Sequence, residues 1–154
     1  MKVFQINDIL QIYPHRYPML MVDSIELHDD GHCIGFKYVT ISELWFMGHF
    51  PEYPVLPGIV IIETMSQVGG MCFYHDFLKT DAETPASRTI GFIAGYERVR
   101  FFKKVSPGVT IKFETVKIAK FGNIGKIKGS ATIEDNVKVA EAEIIYSFEK
   151  VEKK

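Results

Sequence analysis

The stretch GHFPEYPVLPGIVIIETMSQ, residues 48–67, joins a stiff loop to the beginning of the longest helix that the sequence predicts. Residues 48–58 hold one histidine, three prolines and two glycines, so the backbone of this loop is restricted. From Gly58 to about Leu78 the chain is apolar nearly all round, which is typical of a helix in a protein interior. The stretch therefore predicts one central helix enclosed by the rest of the chain.

A short polar patch interrupts this apolar helix. Glu63, Ser66, Gln67 and Gly70 recur at helical spacing and fall on one face, which is apolar again before and after them. One interpretation is an ordinary surface carboxylate, since glutamate is rarely buried without a partner. The functional interpretation is an enclosed Glu63 carboxyl that apolar surroundings keep protonated, which suits a general acid. Gln67, one turn further along, would then hold that carboxyl in place.

His49 in the preceding loop also has two interpretations. A histidine can fix a loop by hydrogen bonding, or it can act as a base near neutral pH. Pro57 and Gly58 suit the start of a helix, where free backbone N–H groups can stabilise a developing oxyanion. This one segment therefore predicts a base at His49, an oxyanion site at Gly58 and an acid at Glu63.

The rest of the chain predicts an antiparallel sheet with turns at DDG (29–31), SPG (106–108), GN (122–123) and EDN (134–136). A short helix is expected after an N-cap at Asn7, a polar loop at 79–88, and a frayed tail after residue 148. Strands are expected at 19–28, 32–40, 89–102, 109–121, 125–134 and 137–149. The predicted architecture is α+β, a single domain over 1–154 with the sheet against one predominant helix.

Composition excludes several classes of function. The chain has 154 residues and a net charge of −1, which gives no electrostatic case for nucleic acid or an anionic membrane. It contains no apolar run long enough to span a bilayer and no signal peptide, so a cytoplasmic location is expected. Cys33 and Cys72 form no metal or disulfide pattern, and Cys72 is expected to be a buried thiol. The HDDGH segment, 28–32, is interpreted as a solvated turn, and no metal site is predicted.

The run RVRFFKK, residues 98–104, is locally basic. Arg98, Arg100, Lys103 and Lys104 occur without an acidic residue among them. They could be a charged strand edge that discourages aggregation, or a docking patch for an acidic partner.

Several segments together resemble the β-hydroxyacyl-acyl carrier protein dehydratase family, the FabZ type. They are YPHRYPMLMVD (13–23), GHFPEYPVLPGIVIIETMSQ (48–67), AGYERVRFFKKVSPG (94–108) and GKIKG (125–129). The spacing from His49 to Glu63 matches the family's catalytic pair. Glu52, Tyr53, Leu56 and Val109 depart from the residues usual in the family, and none of them belongs to that pair.

The resemblance implies a hot-dog fold, in which an antiparallel sheet wraps a long central helix. It also implies a homodimer, often assembled into a hexamer, with no metal or organic cofactor. Each active site would combine His49 of one subunit with Glu63 of the other. The expected partner is an acyl carrier protein bearing a 4'-phosphopantetheine-linked acyl chain.

The expected reaction is dehydration of a (3R)-3-hydroxyacyl thioester to the trans-2-enoyl thioester, in fatty acid synthesis or in a related polyene or polyketide route. His49 would remove the α-proton, Gly58 would polarise the carbonyl, and Glu63 would protonate the leaving hydroxyl. Two alternatives are a hot-dog thioesterase, which leaves His49 without a clear task, and a non-catalytic acyl-binding dimer.

Overall fold

The computed structural model describes residues 1–28, 31–79 and 87–152. Most of the expected polar loop at 79–88 and part of the expected DDG turn lie outside these residues. Within the described ranges, no helix is long and apolar enough to cross a membrane.

Seven antiparallel strands form one sheet, in the order β1-β2-β3-β5-β6-β7-β4. The expected antiparallel sheet is therefore confirmed, and β4 lies at one of its edges. The strands are β1 (Lys2–Phe4), β2 (Ser24–His28), β3 (His32–Tyr38), β4 (Ser87–Phe101), β5 (Thr110–Phe121), β6 (Ile124–Ile133) and β7 (Val137–Glu152).

Three details of the expected secondary structure are wrong. The strand expected from residue 19 begins only at Ser24, because the Met19 carbonyl and the Met21 N–H bond to the Gln67 side chain and not to a neighbouring strand. Helix α1 (Ile6–Ile12) is capped at Gln5, whose N–H donates to the Asp8 carboxylate at 2.9 Å, and not at Asn7. The tail expected to fray after residue 148 continues in β7 to Glu152, paired with β4.

The central helix α2 runs from Gly58 to Gly70 and lies against the inner face of the sheet. It continues as a tighter turn at Met71–Phe73 and a wider one at Tyr74–Leu78, so the expected helical span is confirmed but not its uniform geometry. A side-chain carbon at Gly35 of β3 would lie only 2.2 Å from Val68, so glycine there lets the helix approach the sheet closely. Most of α2 is buried, and Gly58, Ile59 and Glu63 are its residues that are not.

Candidate active site

His49 lies in the loop between a short 3₁₀ turn (Leu44–Met47) and α2, and it is half-buried. Its Nδ1 lies 2.7 Å from the carbonyl oxygen of Val55. A carbonyl can only accept a hydrogen bond, so Nδ1 carries the proton in the neutral ring. The other nitrogen, Nε2, then holds the lone pair and can accept a proton. His49 therefore fixes its own loop through one nitrogen and stays available as a base through the other.

The backbone around His49 is held at several points. The carbonyl of Trp45 accepts hydrogen bonds from the N–H groups of Gly48 and His49, at 3.2 and 2.9 Å. The Val55 N–H donates to the His49 carbonyl at 3.1 Å, and the Phe50 ring stacks on the imidazole with centroids 4.2 Å apart. These contacts fix the ring in one orientation, as a catalytic base requires.

Gly58 is the first residue of α2, where N–H groups have no partner inside the helix. Over residues 1–28, 31–79 and 87–152, no acceptor lies within hydrogen-bonding distance of the Gly58 N–H. A side-chain carbon at this position would lie 2.8 Å from the Phe101 ring. Glycine thus allows Phe101 to pack against the start of the helix while the N–H stays accessible to a substrate oxygen.

Glu63 lies one turn further into α2, with about 20% of its side chain exposed in the single chain. The Gln67 amide donates to its Oε1 at 3.0 Å, as the sequence predicted from their spacing. The same amide is anchored to the 19–21 segment, because it donates to the Met19 carbonyl at 2.6 Å and accepts from the Met21 N–H at 3.0 Å. Gln67 therefore holds one oxygen of the Glu63 carboxyl in a fixed place.

His15 is a neighbour of Glu63 that the sequence analysis did not assign. Its Nε2 lies 4.0 Å from the Glu63 Oε1, and its Nδ1 is enclosed without a hydrogen-bond partner among the described residues. Burial lowers the pKa of His15, partly opposed by Glu63 and reinforced by Arg16. Forty-eight positions separate His15 from Glu63, so no local spacing could predict their contact. The one signal for a role of His15 was its place in the YPHRYP segment.

His49 and Glu63 line separate cavities that share no residue. The His49 cavity is open and has a volume of about 600 Å³; its lining includes Gly58, Phe101, Lys103 and Lys104. The Glu63 cavity has a volume of about 50 Å³ and is lined by Gln67, His15 and, further in, Tyr146, Phe148 and Leu78. The single chain therefore contains both halves of the predicted catalytic pair without bringing them into one cavity.

The four residues of the basic run differ in their surroundings. Arg98 forms an ion pair with Glu143, which raises the pKa of its guanidinium, and Arg100 lies opposite Glu141 across the β4–β7 pair. Lys103 and Lys104 are exposed and line the His49 cavity. Of the four predicted docking residues, Lys103 and Lys104 therefore lie at the candidate site, and neither forms an ion pair with a carboxylate among the described residues.

Cys33 lies in β3, and Cys72 lies in the tighter turn that follows α2. Both are buried, and the Cys72 Sγ lies 3.3 Å from the Thr115 hydroxyl of β5. Hydrogen bonding with Cys72 is the main cause that raises the pKa of Cys33. No cluster of three or more metal-ligating side chains occurs in the described ranges, and Asp29 and Asp30 of the HDDGH segment lie outside them.

A sheet wrapped around one central helix defines a hot-dog protein, and solved structures support that assignment. The dehydratase heterocomplex ApeI:P from Xenorhabdus doucetiae matches with a TM-score of 0.69 at 16% identity, covering 90% of this chain and 89% of that one. A mutant thioesterase from Pseudomonas aeruginosa matches with a TM-score of 0.67 at 13% identity, covering 96% of each chain. The expected hot-dog fold is confirmed; at these identities the matches concern the fold alone.

Sequence similarity is more specific. Residues 13–147 match the FabA-like domain, and the chain belongs to this family. A 3-hydroxyacyl-acyl-carrier-protein dehydratase FabZ of Clostridium tetani is 43% identical over 142 residues, 92% of this chain and 94% of the relative. The FabZ of Caldicellulosiruptor bescii is 42% identical over 149 residues, 95% of this chain and 99% of the relative. The resemblance drawn from the sequence is thus confirmed.

Proposed function

We propose that this protein dehydrates (3R)-3-hydroxyacyl chains carried on acyl carrier protein to trans-2-enoyl chains in fatty acid biosynthesis, with a catalytic centre formed by His49, Glu63 and Gly58. The FabZ relatives, similar over nearly their whole length, support the reaction class. The observation that carries the residue assignment is the His49 ring, whose Nδ1–H is bound to Val55 while Nε2 is left to accept a proton.

The reaction needs a base, an electrostatic stabiliser and an acid. His49 Nε2 removes the α-proton, and the Gly58 N–H at the start of α2 stabilises the negative charge that develops on the thioester oxygen. Hydroxide is a poor leaving group, so Glu63 donates a proton to the departing β-hydroxyl. Gln67 keeps the Glu63 carboxyl in position during this transfer.

The separation of the two cavities supports a site shared between two chains. Strand β4 lies at the edge of the sheet and exposes large apolar side chains, including Phe92, Tyr96 and Phe101. An exposed apolar edge of this length requires cover, and a second copy of the same strand supplies it. The protein is accordingly a homodimer in this proposal, paired through β4.

The positions of the cavities along β4 fit such a dimer. Thr89, Ile90, Gly91 and Ile93 line the Glu63 cavity, whereas Phe101 at the other end of β4 lines the His49 cavity. If two copies of β4 pair antiparallel about a two-fold axis near Tyr96, the start of one strand lies beside the end of the other. The Glu63 cavity of one chain then lies beside the His49 cavity of its partner. Burial is the main cause that raises the pKa of Tyr96 in the middle of β4, and the Glu63 charge adds to it.

The acyl carrier protein docks at the wide half of this composite site. Lys103 and Lys104 bring positive charge to the His49 cavity, where the phosphopantetheine arm of an acidic carrier would enter. The acyl chain is directed toward the apolar residues that line the Glu63 cavity. A further assembly of dimers into a hexamer and a cytoplasmic location remain predictions from the sequence.

Product analysis tests the reaction against the thioesterase alternative. The purified protein is incubated with a 3-hydroxyacyl chain on acyl carrier protein, and the products are resolved by mass. We expect loss of water with the thioester intact, and the reverse hydration when enoyl thioester is supplied. Free acid and free carrier thiol would instead establish a thioesterase, and an unchanged substrate would leave only acyl binding.

A further inference from the structure

A polar cluster lies just before the His49 loop and makes no contact with either cavity. The Glu43 carboxylate accepts a hydrogen bond from the Lys37 ammonium at 2.7 Å and from the Trp45 indole N–H at 3.0 Å, both on Oε2. Its Oε1 accepts from the Thr40 N–H at 3.1 Å. The exposed fractions of the Lys37 and Glu43 side chains are 6% and 18%, so this ion pair is largely buried, beside a third cavity that both residues line.

The cluster is connected to His49 through Trp45. The indole N–H of Trp45 is fixed by Glu43, and its carbonyl accepts the N–H groups of Gly48 and His49. Lys37 belongs to β3 in the middle of the sheet, since β3 pairs with β2 on one side and β5 on the other. A continuous set of hydrogen bonds therefore runs from the rigid sheet to the backbone of the predicted base.

We infer that Glu43 and Trp45 are positioning residues for His49, an inference that rests on the proposed role of His49 as the base. A buried ion pair adds little net stability compared with apolar side chains of similar size, but its directional bonds restrict geometry. Here those bonds orient the 3₁₀ turn (Leu44–Met47) that leads into the loop. The reacting atoms of an enzyme must be held closely, and a displacement of about 1 Å can reduce the rate up to about a hundredfold.

The variant Trp45→Phe tests this connection directly. It removes the indole N–H, keeps a smaller aromatic ring in its place, and leaves the Lys37–Glu43 pair intact. We expect kcat to fall about tenfold with KM within about twofold, because no residue lining the His49 cavity is changed. Hydrogen exchange of the His49 backbone N–H should become faster, since its acceptor is the Trp45 carbonyl.

Ile25→Val is the matched control for a general loss of stability. Ile25 is fully buried in β2, and shortening it lowers the free energy of unfolding without touching the loop. We expect its kcat and the exchange of the His49 N–H to stay at the wild-type values. Glu43→Gln, which weakens the bonds to both Lys37 and Trp45, should lower kcat at least as much as Trp45→Phe.

Three results would overturn the inference: a kcat of Trp45→Phe within about twofold of wild type, an equal loss of kcat in Ile25→Val, or a change in KM without a change in kcat.

His49→Ala is measured in the same series to separate the two proposals. If His49→Ala retains turnover, the assignment of the base is wrong. If His49→Ala is inactive while Trp45→Phe is normal, only the positioning role is wrong. If Glu43→Gln does not fold, Trp45→Phe alone decides the inference, because that variant keeps the Lys37–Glu43 ion pair.

Discussion

The two cavities of the chain differ in how they hold their predicted catalytic group. The His49 cavity is wide and open, and backbone hydrogen bonds in a proline-rich loop fix its histidine. The Glu63 cavity is narrow, and side-chain contacts from Gln67 and the 13–21 segment surround its carboxyl. The open cavity has a volume of about 600 Å³, which leaves room for the carrier arm that we propose, whereas the narrow cavity has a volume of about 50 Å³ in the single chain. In the proposed dimer, each chain contributes its His49 cavity to one site and its Glu63 cavity to the other.

The largest expected effects come from removing the reactive group of either half. His49→Ala and Glu63→Gln should each lower kcat by about a hundredfold or more, because each removes an acid or base that acts in the transition state. Circular dichroism and thermal unfolding check that both variants keep the fold. Turnover near that of wild type in a correctly folded variant would contradict the role given to that residue.

The oxyanion role of Gly58 can be tested with a pair of variants. Proline is tolerated at the first position of a helix, and Pro57 already has the extended backbone that a following proline requires. Gly58→Pro thus removes the N–H, while Gly58→Ala keeps it, and both place a side-chain carbon against Phe101. We expect kcat of the proline variant to be about a hundredfold below that of the alanine variant.

Equal activities of Gly58→Pro and Gly58→Ala would show that the Gly58 N–H does not stabilise the transition state. A loss shared by both variants would be attributed to the displaced Phe101 ring. The comparison between them, and not with wild type, is therefore the measurement of interest.

The basic run offers two matched pairs of cations. Changing Lys103 and Lys104 to Gln should raise KM for carrier-linked substrate about three- to tenfold and weaken its salt dependence, because both line the His49 cavity. Changing Arg98 and Arg100 to Gln should have less effect, since both already face glutamates of β7. A short thioester mimic is the control substrate. An equal rise in KM for that mimic would mean that the lysines support the pocket and not docking.

The smallest expected effect is on stability, through His15. Burial lowers its pKa, so below about pH 6.5 the unfolded chain binds a proton that the folded chain resists. The free energy of unfolding should therefore fall as the pH drops through this value, and less steeply in His15→Gln. Denaturant titrations at several pH values, with the exposed His75→Gln as control, measure the slope. An unchanged slope in His15→Gln would contradict the burial effect.

The sequence could predict contacts between residues that are close together in the chain, but not contacts between distant segments. The contact between Glu63 and Gln67 follows from helical spacing, and the start of α2 at Gly58 follows from Pro57 and the apolar run. The contact of His15 with Glu63 arises only when distant segments fold together. Strand β1 has three residues, too few to show an alternating pattern, and its pairing with β2 is what defines it.

The predicted site illustrates the same limit. A single sequence names His49 and Glu63, but their separation into two cavities is a property of the folded chain. Arg98 was predicted as part of a charged strand edge or a docking patch, and Glu143, forty-five positions away, forms an ion pair with it. Local patterns thus identified the chemical groups, and tertiary contacts determined which of them are available.

The central claim is that each active site takes His49 from one chain and Glu63 from its partner. Inactive His49→Ala and Glu63→Ala proteins are unfolded together and refolded, and mass measurement confirms mixed dimers. Random pairing makes about half of the dimers mixed, each with one intact site of two, so about a quarter of wild-type activity should return. Activity that stays at the level of the single variants, with mixed dimers present, would contradict the shared site.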